Sequence, residues 1–374
     1  MNAAAVLRRA VTLGYELRPV LRAHAWLLAI VALHFALALT LYHRYPAHYR
    51  NTMQAEEFLG SLVIGPVCAL TAYTLYVMLC VRPAHLLRYL SRHLRQYLTR
   101  QRLLFALPVL LMMPLFASAF TIVKAAVPLF QPFAWDSQLS QLDAALHGGI
   151  QPWVWLQMLF GHPLLTAVVN LNYHLWFFIM FATLYWMAFS MEHARLRMQF
   201  LLSFVLSWIL LGNVLAICFS SVGPCYYALV LGGPDPYAGL LHYLQAADRQ
   251  IPVLALDVQK LLWNDYQHQI GVSGLSISAM PSMHVASSML LALLGWRLNR
   301  KAGIALSVFA FLILAGSVHL GWHYAVDGYA GALGALLIWL AVGKLLALQE
   351  PAPRRLNLLV GGRVVRSVLQ RRLP

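Results

Sequence analysis

Eight apolar runs, each close to the roughly 20 residues that a helix needs to cross a bilayer, divide this chain of 374 residues. They extend over Trp26 to Tyr42, Phe58 to Val81, Leu103 to Val123, Pro163 to Phe189 and Met198 to Ser220, then Pro281 to Trp296, Ala302 to Leu320 and Tyr324 to Leu348. Hydrocarbon offers no partner to a backbone amide, so a run of this length must satisfy its own hydrogen bonds as a helix. Composition agrees: 61% of residues are hydrophobic and only 10% charged, against about 25% charged in soluble domains. The expected fold is all-α, a polytopic bundle of about eight transmembrane helices.

A formal net charge of +15 raises the question of nucleic acid, and the order of the charges answers it. Arg8, Arg9, Arg18 and Arg22 precede the first run, Arg82 to Arg102 separate the second from the third, Arg195 and Arg197 follow the fourth, and Arg297, Arg300 and Lys301 follow the sixth. The intervening loops carry Glu56, Glu57, Asp136, Asp143, Asp235, Asp248, Asp257 and Asp265. Under the positive-inside rule this alternation puts both termini in the cytoplasm and the acidic loops outside it. No nucleic-acid partner is needed to explain the bases. The first span reads as an uncleaved anchor, because removing it would spoil the alternation, although Ala36-Leu37-Ala38 resembles a cleavage site. Cys68, Cys80 and Cys218 fall within spans and Cys225 in an outer loop, so no disulfide framework or zinc motif is legible.

Two basic segments point to lipid. Pro83 to Gln101 interleaves Leu86, Leu87, Leu90, Leu94 and Leu98 with arginines at helical spacing, the pattern of a helix lying on the inner leaflet or of a solvated connector. The tail after Glu350 is a topology signal that could also meet anionic lipid headgroups. Among the outer loops, WDSQLSQLDAALHGGIQPWVWL from Trp135 to Leu156 reads as two short interfacial helices. Asp136 would cap the first, Gly148 and Gly149 would end it, and Pro152 would start the second. Trp135, Trp153 and Trp155 suit headgroup level, which favours an anchoring role.

The chemistry lies in two late motifs, PSMH at Pro281 to His284 and GWHYAVD at Gly321 to Asp327. Both fall on the outer side of their spans, so they can meet. An ionisable group in lipid is costly without a partner. His323 and Asp327 stand four apart, which stacks them on one helical face. A carboxylate on one ring nitrogen fixes the tautomer and frees the other nitrogen as a nucleophile. Ser282, just ahead of His284, brings a hydroxyl and amides to a helix amino end, where phosphate is favoured. The expected division of labour gives attack on phosphorus to His323, proton donation to the leaving oxygen to His284, and charge stabilisation to Asp327. No cofactor or metal is required.

PSMH followed by GWHYAVD resembles the second and third signature motifs of the type-2 phosphatidic acid phosphatase superfamily. WDxxLxxLDxxLHGGxxPW at Trp135 to Trp153 and FSSVGPCYY at Phe219 to Tyr227 are similar to its inositol phosphorylceramide synthase branch. The resemblance implies a six-helix core and a metal-independent phosphohistidine mechanism. It divides the chain into residues 1–102, two added spans and a basic connector; 103–348, the catalytic core; and 349–374, a basic cytoplasmic tail. It also implies a membrane lipid substrate of phospholipid, ceramide or polyprenyl type. The phosphatases of the superfamily carry Lys-x6-Arg-Pro and an Arg six residues before the nucleophile. Here Arg82-Pro83 has Leu75 at the Lys position, and Ser317 holds the second Arg position. His319, Lys260, Arg249 and the Gly223-Pro224 turn with Tyr226 are the candidates for gripping phosphate instead.

The leading expectation is a lipid phosphotransferase working through a phosphohistidine, and the runner-up is a lipid or polyprenyl phosphate phosphatase. Two other classes remain open on the residues alone. His319, His323 and Asp327 fall at i, i+4 and i+8, a metal-binding face if one unbroken helix carried all three. A His-Asp proton relay would serve a transporter or an inactive scaffold.

Overall fold

The structure, a computed structural model, describes residues 16–46, 55–268 and 277–349, excluding the side chains of 55–62. The basic tail expected to meet anionic headgroups lies outside the described residues. Among the described residues the ordered segments are helical and no strand occurs. Helix α1 spans Ala25–Arg44, α2 Ala55–Tyr76 with a wider turn through Val77–Val81, α3 Leu86–Tyr97 and α4 Arg100–Ala125. Two short helices follow, α5 (Asp136–Leu146) and α6 (Pro152–Phe160), then α7 (Pro163–Phe189) and α8 (Ala194–Ile209), which runs on to Cys218. Short helices α9 (Ala238–Asp248) and α10 (Leu254–His268) precede α11 (Met283–Leu298), α12 (Arg300–His319) and α13 (Ala325–Gln349).

Seven of these helices are long and apolar enough to cross a membrane, and the protein is an integral membrane protein. The eighth expected span, α11, has 16 residues. At about 1.5 Å per residue it measures about 24 Å, roughly 6 Å less than the hydrocarbon core of about 30 Å. Its amino end is set by Pro281 and Ser282, which lead an extended segment into the bundle before the helix can start.

The spans pack through small residues, as expected where lipid tails compete equally for apolar surface. One close approach of backbone to backbone is between α13 and the amino end of α11. A Cβ on Gly331 would lie 2.5 Å from the carbonyl oxygen of Ser282. Backbone cannot yield there, so Gly331→Ala is expected to push α11 away. A lower thermal unfolding temperature in detergent, from about 1–3 kcal/mol of overpacking, and reduced turnover would report it.

At the end of the bundle formed by the carboxyl end of α7, Arg197 of α8 is 1% exposed. Its guanidinium donates to the carbonyls of Met187 at 2.9 Å and Ala188 at 3.1 Å, and lies 4.3 Å from the Phe105 ring. An arginine expected only to signal topology therefore caps α7, satisfying carbonyls that lipid could not. The amphipathic reading of the connector also finds a counterpart in α3. Leu86, Leu90 and Leu94 turn inward while Leu87 and the arginines are exposed.

Candidate active site

Three chain segments meet near the carboxyl end of α4 and the amino ends of α7, α11 and α13. They are 220–226, 277–284 and 319–327. The backbone ties them directly: Ala279 N–H donates to Ser221 O at 2.9 Å, Cys225 N–H to Gly321 O at 2.9 Å, and Ser282 N–H to Asp327 O at 3.0 Å. Gly321, at φ 75°, ends α12 and turns the chain toward α13. His319, His323 and Asp327 therefore do not share one helix. Among the described residues, no three His, Cys, Asp or Glu side chains converge as a metal-ligand group.

His284 occupies the first turn of α11, its ring stacked at 4.4 Å on Tyr173 and 4.0 Å from Trp176, both on α7. Two aromatic faces thus fix the imidazole, and among the described residues it has no hydrogen-bonded charged partner. His323 stands two residues ahead of α13, its Nδ1 3.3 Å from Asp327 Oδ2. The same oxygen accepts from the Tyr324 amide at 3.0 Å, and Asp327 is fully buried. The remaining nitrogen of His323, Nε2, is left for other work. The two imidazole centres are 6.4 Å apart with planes inclined by 59°. Half that separation falls in the range of about 3–3.5 Å at which reacting atoms are held.

Both rings form part of the wall of a cavity of about 660 Å³. Below them the wall is largely aromatic and aliphatic, with Phe116, Phe120, Phe177, Phe181 and Phe204 from α4, α7 and α8. The volume lies within the range of about 300–1,000 Å³ typical of small-molecule sites. A polar head with an apolar tail fits this division.

The other residues expected at the site separate into two groups. Tyr226 is on the cavity wall, but its hydroxyl is committed to Gln259 O at 2.8 Å. Gly223 has φ 86°, and a Cβ there would lie 2.6 Å from Trp322 O, so only glycine lets this loop approach the His323 segment. Ser282 is fully buried, does not cap α11 with its side chain, and its Oγ meets no partner among the described residues. His319, Lys260 and Arg249 are not brought to the cavity. His319 Nε2 is 3.0 Å from Thr166 Oγ1, with Phe160 and Tyr243 beside the ring. Lys260 is exposed and 3.7 Å from Asp257, and Arg249 is exposed.

Three residues of consequence escaped the sequence reading. Asp136, expected to cap α5, does not cap it; Trp135 holds that position without a side-chain bond. Its carboxylate instead accepts from the amides of Val222 and Gly223, each at 2.9 Å, and from the Tyr324 hydroxyl at 2.7 Å. One helical face further along, Asp143 accepts from the Ala325 and Val326 amides at 2.9 and 3.0 Å. It therefore caps α13 from another helix, opposite the positive end of that helix's dipole. Both are 1% exposed. Burial pushes both carboxyls up from the usual range, and the donated hydrogen bonds pull against it. The loop read as an anchor is thus the clamp that holds the His323 turn.

The third is Lys124, in the last turn of α4 and on the cavity wall. Its spacing could have revealed it. Lys124 stands seven residues before Gln131, which precedes Pro132, a Lys-x6-Gln-Pro spacing that differs from Lys-x6-Arg-Pro at one residue. Arg82-Pro83 is not that motif. It lies at the other end of the bundle, and Pro83 borders a small hollow with His85, Arg88, Tyr89 and Arg92.

A histidine held by a carboxylate and a second histidine 6.4 Å from it, both on the wall of a largely apolar chamber, make an arrangement suited to chemistry on a phosphate ester. The model of the PAP2 superfamily matches residues 137–341, more than half of the chain, and the protein belongs to that superfamily. No curated protein and no solved structure matches it. It is an enzyme of the phosphatase and phosphotransferase class of that superfamily.

Proposed function

We propose that the protein is a lipid phosphotransferase resembling inositol phosphorylceramide synthases, moving a phospho-headgroup from one membrane lipid to the hydroxyl of another. The observation that carries this reading is the pair of imidazoles 6.4 Å apart, one fixed by Asp327 and the other by aromatic rings. In the first half-reaction His323 Nε2 attacks phosphorus. An N–P bond forms, the P–O bond to the leaving alcohol breaks, and His284, protonated at the outset, gives that oxygen its proton. Asp327 holds the His323 ring and stabilises the charge it acquires. In the second half an acceptor hydroxyl attacks phosphorus, His284 takes its proton and the N–P bond breaks, which restores both rings.

A phosphatase would share the first half and use water in the second. The alternating basic and acidic loops support a site facing away from the cytoplasm, with both termini inside. The test is capture of the intermediate. Purified protein incubated with lipid labelled in its phosphate is expected to yield a base-stable, acid-labile label on the peptide carrying His323. Unlabelled acceptor alcohol should chase that label into lipid more effectively than water releases it as phosphate. Turnover that persists without such a label, or that a chelator abolishes and a metal restores, would overturn the phosphohistidine.

A further inference from the structure

The cavity that begins at the two histidines reaches far toward the opposite end of the bundle. Along α7 its wall runs from Tyr173, stacked on His284, to Tyr185, and along α4 from Lys124 to Met113. At about 1.5 Å per residue both stretches measure about 16–18 Å. One leaflet contributes half of a hydrocarbon core of about 30 Å, so the chamber is about as deep as a leaflet. Tyr185, the last wall residue on α7, is 5% exposed. Its ring lies against Gly65 of α2 so closely that a Cβ on Gly65 would coincide with it. Just beyond, Arg197 crosses from α8 to hold the carbonyls of Met187 and Ala188, which keeps this end of α7 from receding. Gly65 and Met113 both precede residues 137–341, which match the superfamily model. The far end of the chamber is therefore closed in part by helices outside that match.

An apolar space of leaflet depth, continuous with the reacting rings, suits one hydrocarbon chain of the lipid whose phosphate lies between them. That chain leaves lipid for a wall that is equally apolar, so burial alone favours no particular length. Fit is what discriminates. Methylenes that run past the closed end must fold back or be overpacked, and missing ones leave part of the wall without contacts. We propose that Tyr185, seated on Gly65, sets the length of acyl chain that the enzyme accepts. Gly65 acts as a positioning residue, since any side chain there would drive the ring toward the chamber or push α2 away. The proposal rests on the site acting on a lipid phosphate ester and adds a length limit to it, whether an alcohol or water completes the reaction.

Binding tests it apart from turnover. In the His323→Ala background, Kd would be measured for lysophosphatidylinositol and lysophosphatidic acid bearing lauroyl, palmitoyl or lignoceroyl chains, one chain per molecule so that a single length is in play. Under either headgroup, lignoceroyl is expected to bind at least about tenfold more weakly than palmitoyl, the cost of overpacking. Adding Tyr185→Ala should remove most of that difference, and Tyr185→Phe, which keeps the ring, should retain it. Gly65→Ala is expected to act in the opposite sense, weakening palmitoyl relative to lauroyl. Tyr185→Leu serves where Tyr185→Ala unfolds the protein. Equal Kd for palmitoyl and lignoceroyl in the parent would overturn the proposal. So would a folded Tyr185→Ala protein with the parental length limit, or a parent that binds neither series. If otherwise wild-type protein turns over no phospholipid, the proposed function fails, and the comparison of chains under one headgroup still decides the role of Tyr185.

Discussion

Turnover is expected to fall by about 10⁴-fold or more when His323 is replaced by alanine, as when a covalent nucleophile is removed elsewhere. No neighbouring group substitutes for it. His284 is 6.4 Å away, held by Tyr173 and Trp176 and without a carboxylate of its own. The fold should survive, because the backbone bonds of the turn do not depend on the ring. The His323 amide still donates to Ser317 O at 3.1 Å, and Asp327 still accepts from the Tyr324 amide. Single-turnover assays with labelled lipid would show no burst of enzyme-bound phosphate. Asp327→Asn should fall less, by about 10²–10⁴-fold, since the ring remains but its tautomer is no longer dictated. Wild-type rates in His323→Ala would remove the central role assigned to this ring.

The second large effect concerns stability and the site together. Asp136→Ala strips the acceptor from two buried amides and one buried hydroxyl, those of Val222, Gly223 and Tyr324. At about 1–3 kcal/mol for each orphaned donor, and allowing for non-additivity, the loss is about 3–5 kcal/mol. That is a large part of the 5–15 kcal/mol typical of a whole domain. The variant is expected to purify in low yield and to unfold well below the parent in detergent. Asp136→Asn, which keeps one carbonyl oxygen, should fall between them. An Asp136→Ala protein with parental unfolding temperature and turnover would show that the clamp is dispensable.

These two predictions mark the limits of what could be read from the chain. Seven of the eight expected spans were legible because lipid imposes a length and composition that the amino-acid order displays directly. The spacing of His323 and Asp327 anticipated their contact, although His323 lies two residues ahead of α13 and the turn, not a shared helical face, brings them together. Asp136 was not, because its partners lie 86, 87 and 188 residues away. An acid seven residues before another on a short helix looks like a solvated face until the fold turns that face inward. Lys124 was concealed at the end of an apolar run, where a single base reads as a boundary and Gln131 replaces the expected arginine. His319 was misleading for the opposite reason. It shares the spacing of His323 and Asp327, but the break at Gly321 turns it toward Thr166.

The shortness of α11 has a consequence for traffic through the enzyme. The helix starts beside Asp327 and Gly331 of α13, past that helix's first residue, so a substrate reaching His284 has to carry its polar end inward beyond the start of α13. A molecule already rooted in the bilayer does so by sliding along its own axis. Metabolites dissolved in the aqueous phase have no such handle.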